Sequence, residues 1–250
     1  MCCFSGPVVE VSNTKIFARR FGKSSQYLVY EMHFQSLEDL AMILPIPTPG
    51  DSPEDAVTFI NLKEYEHFFG DMHKGFPPPK PTGRALKLED KAPPKPEPQL
   101  QVIDVGAFEA SFVPKIKDFA RLDERFRLPD DVWSKLPTYK NYGFAVFKLK
   151  KGNANVHPMA FAFPSALKKE IFFPTVHIHD GKFHDKADFD HVLYMQLAED
   201  TYPSDKKWEE STQPAGMFMD KKKAASLILN DAHVYRRYLK GELKNADTLA

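Results

Sequence analysis

Four of the nine histidines, His177, His179, His184 and His191, fall within one short stretch of the chain. Asp180 and Gly181 lie between the second and third of them. That pair is a strong signal for a two-residue type I′ hairpin turn, in which both residues need positive φ. With these two as the loop, His179 faces Lys182, Ile178 faces Phe183 and His177 faces His184. Directly opposed residues share a face, as do residues two apart on a strand. The pattern therefore predicts His177, His179 and His184 on one face, and Val176, Ile178 and Phe183 on the other. Opposed Cβ atoms lie roughly 4.5–5.5 Å apart, and three imidazoles so placed could meet one zinc ion at about 2.0–2.1 Å. Three histidines with an open fourth position suit a catalytic zinc site, and copper or iron accept the same ligands. His191 is a candidate fourth ligand, or orients one of the others through Asp190. The competing reading is a solvated hairpin face, which Lys182 on that same face favours.

Cys2 and Cys3 are the only cysteines. A disulfide between neighbours is strained, so both are read as thiols. Removal of Met1 would leave a free amine on Cys2, with a pKa of about 8, able to act as base for its own thiol. The thiol would attack an amide carbonyl and the amine would protonate the leaving group. Arg19, on the next predicted strand, would hold a substrate carboxylate or carbonyl. Three other readings stand beside this one: Cys2 and Cys3 complete a mixed sulfur/nitrogen metal site with the histidines, they are S-acylated, or they are merely small hydrophobes.

Other candidates carry less. Glu38 and Asp39 are adjacent and point apart on a strand, which is poor geometry for an acid/base pair. His33, His67, His73, His157 and His233 stand singly. No glycine-rich phosphate loop and no Gly-x-Ser-x-Gly elbow occurs. The 250 residues carry 34 basic and 34 acidic side chains, without the basic surplus a nucleic-acid binder usually shows. The N-terminal residues lack the basic and apolar regions of a signal peptide, and no apolar run is long enough to span a membrane. The expected location is the cytoplasm, where thiols stay reduced.

The elements that must position these residues read as a sheet-rich, antiparallel α+β fold with a few peripheral helices and a long proline-rich loop. Residues 8–47 alternate as strands, with Leu40–Leu44 closed by Pro45 and Pro47. Residues 53–73 change to helical spacing, read as one broken helix or two short ones. Residues 75–99 hold eight of the 21 prolines and form the clearest linker, between a portion at 1–74 and another at 100–250 that are either separate or one continuous domain. Such a segment is expected to be functional or disordered, and its prolines suit an extended helix that a protein partner could recognise. Beyond it, 101–113 reads as a strand and 115–126 as a helix, with a second short helix from Leu128. Residues 144–149, 159–163, 171–179 and 189–197 read as strands. A final amphipathic helix is predicted over 224–243, with Ala224, Leu227, Ile228, Tyr235 and Leu239 as its stripe.

Three stretches together, Cys2-Cys3-Phe4-Ser5 with Pro7, Glu38 to Pro47, and Tyr142 to Leu149, resemble an uncharacterised bacterial family, a domain of unknown function. Many of its members are exported and begin near Cys-Gly-Gly-Phe-Phe-Cys. The resemblance implies a sheet-rich fold and no particular activity. The layout of His177, His179 and His184 is similar to the ligand arrangement of carbonic anhydrases, and the interval from Cys2 to Arg19 is similar to that in bile-salt-hydrolase-like enzymes. The first expectation is therefore a metal-binding protein, extending to a metal-dependent enzyme, with zinc, copper or iron. The second is an amidohydrolase with Cys2 as nucleophile, acting on a small molecule or peptide. The third is a non-enzymatic interaction module that uses the proline-rich loop.

Overall fold

The computed structural model describes residues 3–77, 109–197, 202–203, 205–224 and 226–250. Its strands are β1 Cys3–Phe4, β2 Glu10–Phe21, β3 Ser25–Ser36, β4 Leu40–Ile46, β5 Thr58–Asn61, β6 Ala110–Val113, β7 Gly143–Leu149, β8 Gly152–Pro164, β9 Phe172–Phe173, β10 Lys186–Gln196, β11 Glu209–Glu210, β12 Tyr235–Lys244 and β13 Thr248–Leu249. The α-helices are short, α1 Phe68–Lys74 and α2 Asp130–Ser134. The fold is α+β and dominated by antiparallel sheet. A large sheet runs β11-β12-β10-β2-β3-β8-β5, a smaller one runs β1-β4-β7-β6, and β13 pairs with β9. The pairing of β10 with β2 is parallel.

Side-chain alternation builds the layers. Ile16 and Ala18 of β2, with Leu28 and Tyr30 of β3, turn toward the smaller sheet and meet Met42, Leu44 and Phe147 in the central core. Phe17 and Val29 turn the other way, onto Phe68, Phe69 and Met72 of α1 and onto Leu227 and Ile228. The smaller sheet is likewise covered on both faces, because Ala41, Ile43 and Val146 pack against Phe119, Trp133 and Tyr139. Both sheets are thus interior layers, and each buried Phe or Leu contributes roughly 1.5–3 kcal/mol. The turn between β2 and β3 uses Gly22, at φ +56°, a conformation glycine adopts without a Cβ penalty.

Three local expectations are corrected. The predicted helix over 224–243 is instead a turn region followed by β12. Its apparent stripe joins two cores: Ala224, Leu227 and Ile228 lie in the one beneath α1, Tyr235 and Leu239 in the central one. A 3.6-residue period was matched by a chain that changes direction. The helix over 53–73 is helical only at its end, because Phe59 and Ile60 lie in β5, on the edge of β8. Residues 116–126 form two 3₁₀ segments, the second capped by the Asp123 carboxylate, which accepts from the Arg125 N–H. In β4 the strand runs through Pro45. Its neighbour β1 reaches only Met42 and Ile43, so no partner on that edge needs the missing N–H.

Strands from both sides of residues 78–108 share both large sheets: β2 and β3 pair with β10 and β8, and β4 with β7. A chain cut once within 78–108, at an inserted protease site, should therefore stay whole. The two pieces should co-elute on size-exclusion chromatography and unfold in one transition. Separation without denaturant would show that the shared core does not hold them.

Candidate functional site

The segment 174–179 runs extended without a regular ladder, and is held on its two sides by different means. On one side Cys3 and Ile178 form a parallel bridge. There the Phe4 N–H donates to the Ile178 carbonyl at 3.0 Å and the Val8 N–H to that of His179 at 3.2 Å. On the other side the chain's last residues act through side chains. The Asn245 amide oxygen accepts from the His177 N–H at 2.7 Å, and its NH₂ donates to the carbonyls of His177 at 2.9 Å and His184 at 2.8 Å. The Asp247 carboxylate accepts from the N–H groups of Thr175 at 2.9 Å and Val176 at 3.2 Å, and from the Tyr139 hydroxyl at 2.7 Å. Burial raises the Asp247 carboxyl to about 6 against these bonds.

This hold decides which way the histidines face. Val176 and Ile178 enter the outer core with Cys3. His177 and His179 point the opposite way, with ring centres 5.2 Å apart. His177 also lies 4.2 Å from Phe189 and 4.9 Å from His191, and His179 lies 5.7 Å from Phe4. The predicted hairpin does not form. Gly181 has φ +74°, but Asp180 lacks the positive φ that a type I′ turn needs. Asp180 instead accepts the Lys182 N–H and binds His184 Nε2 at 2.9 Å. His184 is therefore exposed at the mouth of the cleft that His177 and His179 also line, and the third ring packed into the cluster is His191, from β10.

The cluster is desolvated. His177 is 6% exposed and His191 fully buried. Burial pushes His177 down to about 2, His179 to about 4, and His191 well below the usual imidazole range. Neither His177 Nε2 nor His179 Nε2 has a hydrogen-bond partner among the described residues. His177 and His179 also line a cleft of about 640 Å³, whose other walls include Glu10, Asp180, Asp188, Asp190, His184 and Lys186.

The remaining sequence candidates are placed as follows. Cys3 is buried in β1, and Cys2 lies outside the described residues. Arg19 is not in a pocket. Its Nε donates to the Leu227 carbonyl at 2.9 Å, its other nitrogens to the Ser226 and Arg20 carbonyls, and the guanidinium lies over Tyr27. It ties β2 to the turn region before β12. Among the described residues no three donors are gathered as a metal site, and no helix is long and apolar enough to cross a membrane. Asn245 and Asp247 carried no sequence signal, since both sit in a polar tail that reads as surface.

No family model and no curated protein matches the sequence. Among solved structures, the crystal structure of baculovirus P35 aligns with a TM-score of 0.53 and 14% identity, covering 99% of this chain and 98% of that one. The fold is that of P35. A mutated baculovirus P35 after caspase cleavage aligns at 0.49 and 14% identity, covering 95% and 98%. P35 from a caspase-8/P35 complex aligns at 0.48 and 14%, covering 95% of each chain. The P35 likeness at 0.53 runs the length of both chains, so the large sheet, the smaller sheet and the segment carrying the histidines all lie within the aligned region.

The buried imidazoles give the site a pH signature. Unfolded, each titrates near 6.5 and takes up a proton below that pH. Folded, they stay neutral to about pH 4 or lower, so their contribution to stability is complete above 6.5 and is lost on acidification. Asp247 acts oppositely: its contribution is complete below 3.8 and is lost as pH rises through about 6. Three imidazoles outweigh one carboxyl, leaving a net uptake of about two protons on unfolding near pH 5. The urea midpoint should fall steadily from pH 6.5 to 5, and His179→Gln should reduce that slope by about one proton. A flat profile would contradict the burial.

Proposed function

We propose that this chain is a non-catalytic binding protein for a caspase-class protease, which it engages through residues 78–108 as a cleavable segment and so occupies. The observation that carries the reading is the P35 fold shared along the whole of both chains. P35 is known both in a complex with caspase-8 and in a caspase-cleaved form. The chain's own construction agrees with that use. Residues 78–108 join two fixed points. Upstream, Phe76 is buried, with the Arg236 guanidinium 4.3 Å above its ring. Downstream, Ala110 pairs with Phe147 at the start of β6. A rigid scaffold that fixes both ends of a long connection is the usual way to present a binding segment. The shared sheets would keep the body intact after a cut, leaving the cleaved chain able to remain on the protease. The segment's prolines disfavour helix and central strand, a composition compatible with recognition as an extended substrate.

The test is incubation of the purified chain with caspase-8, followed by intact-mass mapping and assay of residual peptide hydrolysis. The expected result is one cut within 78–108 and loss of protease activity at an equimolar ratio. Substituting alanine for the residue before the mapped bond, for which Asp90 and Asp104 are the candidates, should abolish both. The absence of both a cut and inhibition across several caspases would refute the reading.

A further inference from the structure

We propose that His177 and His179 bind one divalent transition-metal ion, of the zinc, copper or nickel class, at the floor of the acid-rimmed cleft. Their two Nε2 atoms would be the protein's imidazole ligands. Water and a rim carboxylate would complete the shell. The ligand atoms are unspent among the described residues: both Nε2 atoms are buried and neither makes a hydrogen bond to them. His177 is 6% exposed, so its idle nitrogen forgoes water as well as a protein partner, a cost of about 1–3 kcal/mol that a ligand would recover.

The spacing fits one ion. Metal–nitrogen bonds of about 2.0–2.1 Å put a ring centre about 3 Å from the ion, and two such rings at a tetrahedral angle about 5 Å from each other. The observed separation is 5.2 Å. The rings lie 24° from parallel, so binding asks for rotation about the side-chain bonds rather than movement of the backbone, which Asn245 holds in place. No third donor is already gathered there among the described residues, so two imidazoles are what the protein commits.

The surroundings select the charge and class of ligand. Glu10, Asp180, Asp188 and Asp190 line the same cleft, opposed by Lys186, and so attract a cation. Paired neutral imidazoles prefer zinc, copper or nickel over magnesium or calcium, which take oxygen ligands. His191 and Phe189 close the inner side, with ring centres 4.9 and 4.2 Å from that of His177.

The experiment is calorimetric titration of tag-free, chelator-treated protein with Zn²⁺, with Co²⁺ absorption as a spectroscopic readout of nitrogen ligation. Binding should be 1:1 and micromolar or tighter. His177→Ala and His179→Gln should each weaken it at least tenfold and remove the Co²⁺ bands, whereas His184→Gln should change it less than threefold. His179 is only partly buried, so its variant serves if His177→Ala fails to fold. The proposal is overturned if no saturable 1:1 binding occurs, or if His179→Gln, folded by circular dichroism, binds Zn²⁺ as the parent does.

Discussion

The extended segment from Thr175 to His177 has two side chains where a strand would have a ladder. Asn245 and Asp247 satisfy its N–H groups, and Asn245 also binds the carbonyls of His177 and His184. Buried backbone polar groups must find partners, and no neighbouring strand on that side supplies them. The orientation of every side chain from Val176 to His179 follows from this hold. With the backbone fixed, alternation sends Val176 and Ile178 into one core and the two imidazoles toward Phe4, Phe189 and His191.

That placement sets the chemistry. Imidazoles whose Nε2 atoms find no hydrogen-bond partner among the described residues, packed on aromatic rings, have their basicity suppressed by desolvation. The same packing brings the N-terminal strand against the histidine segment, with β10 behind both. Remote parts of the sequence therefore meet at one corner of the fold. The cleft outside it carries mostly negative charge, while its floor carries uncharged nitrogen donors. Residues 78–108 are entered after α1 and left before β6, elements that do not line that cleft. The proposed protease engagement and the proposed cation binding thus rest on separate elements, and either can fail without the other.

Much of the fold was legible because strand alternation is a local signal. β2, β3, β4, β7 and β10 fall where strands were read, and β8 begins seven residues before the strand read at 159–163. The errors arose where a pattern bridged two elements. Ala224 to Leu239 fitted a helical stripe only because residues of two different cores happen to match its spacing. The histidine site was half legible. His177 and His179 share a face, as their separation of two requires, but His184 was assigned by a turn that does not form. Asp180 uses its carboxylate on Lys182 and His184 instead of entering the left-handed region. His191 replaces His184 through the pairing of β10 with β2, a long-range contact that no local pattern encodes. The same is true of Asn245 and Asp247, whose partners lie some seventy residues upstream.

The account turns on whether that corner is dry and held from the C-terminal end. The direct measurement is an NMR titration of the histidine ring nitrogens in the parent protein and in Asn245→Ala. In the parent, His177 and His179 should remain neutral from pH 7.5 to 5. Loosening the segment by Asn245→Ala should move the His179 midpoint back toward 6.5. Parent His177 and His179 signals that shift together near pH 6.5 would contradict the account, because the rings would then be in contact with water.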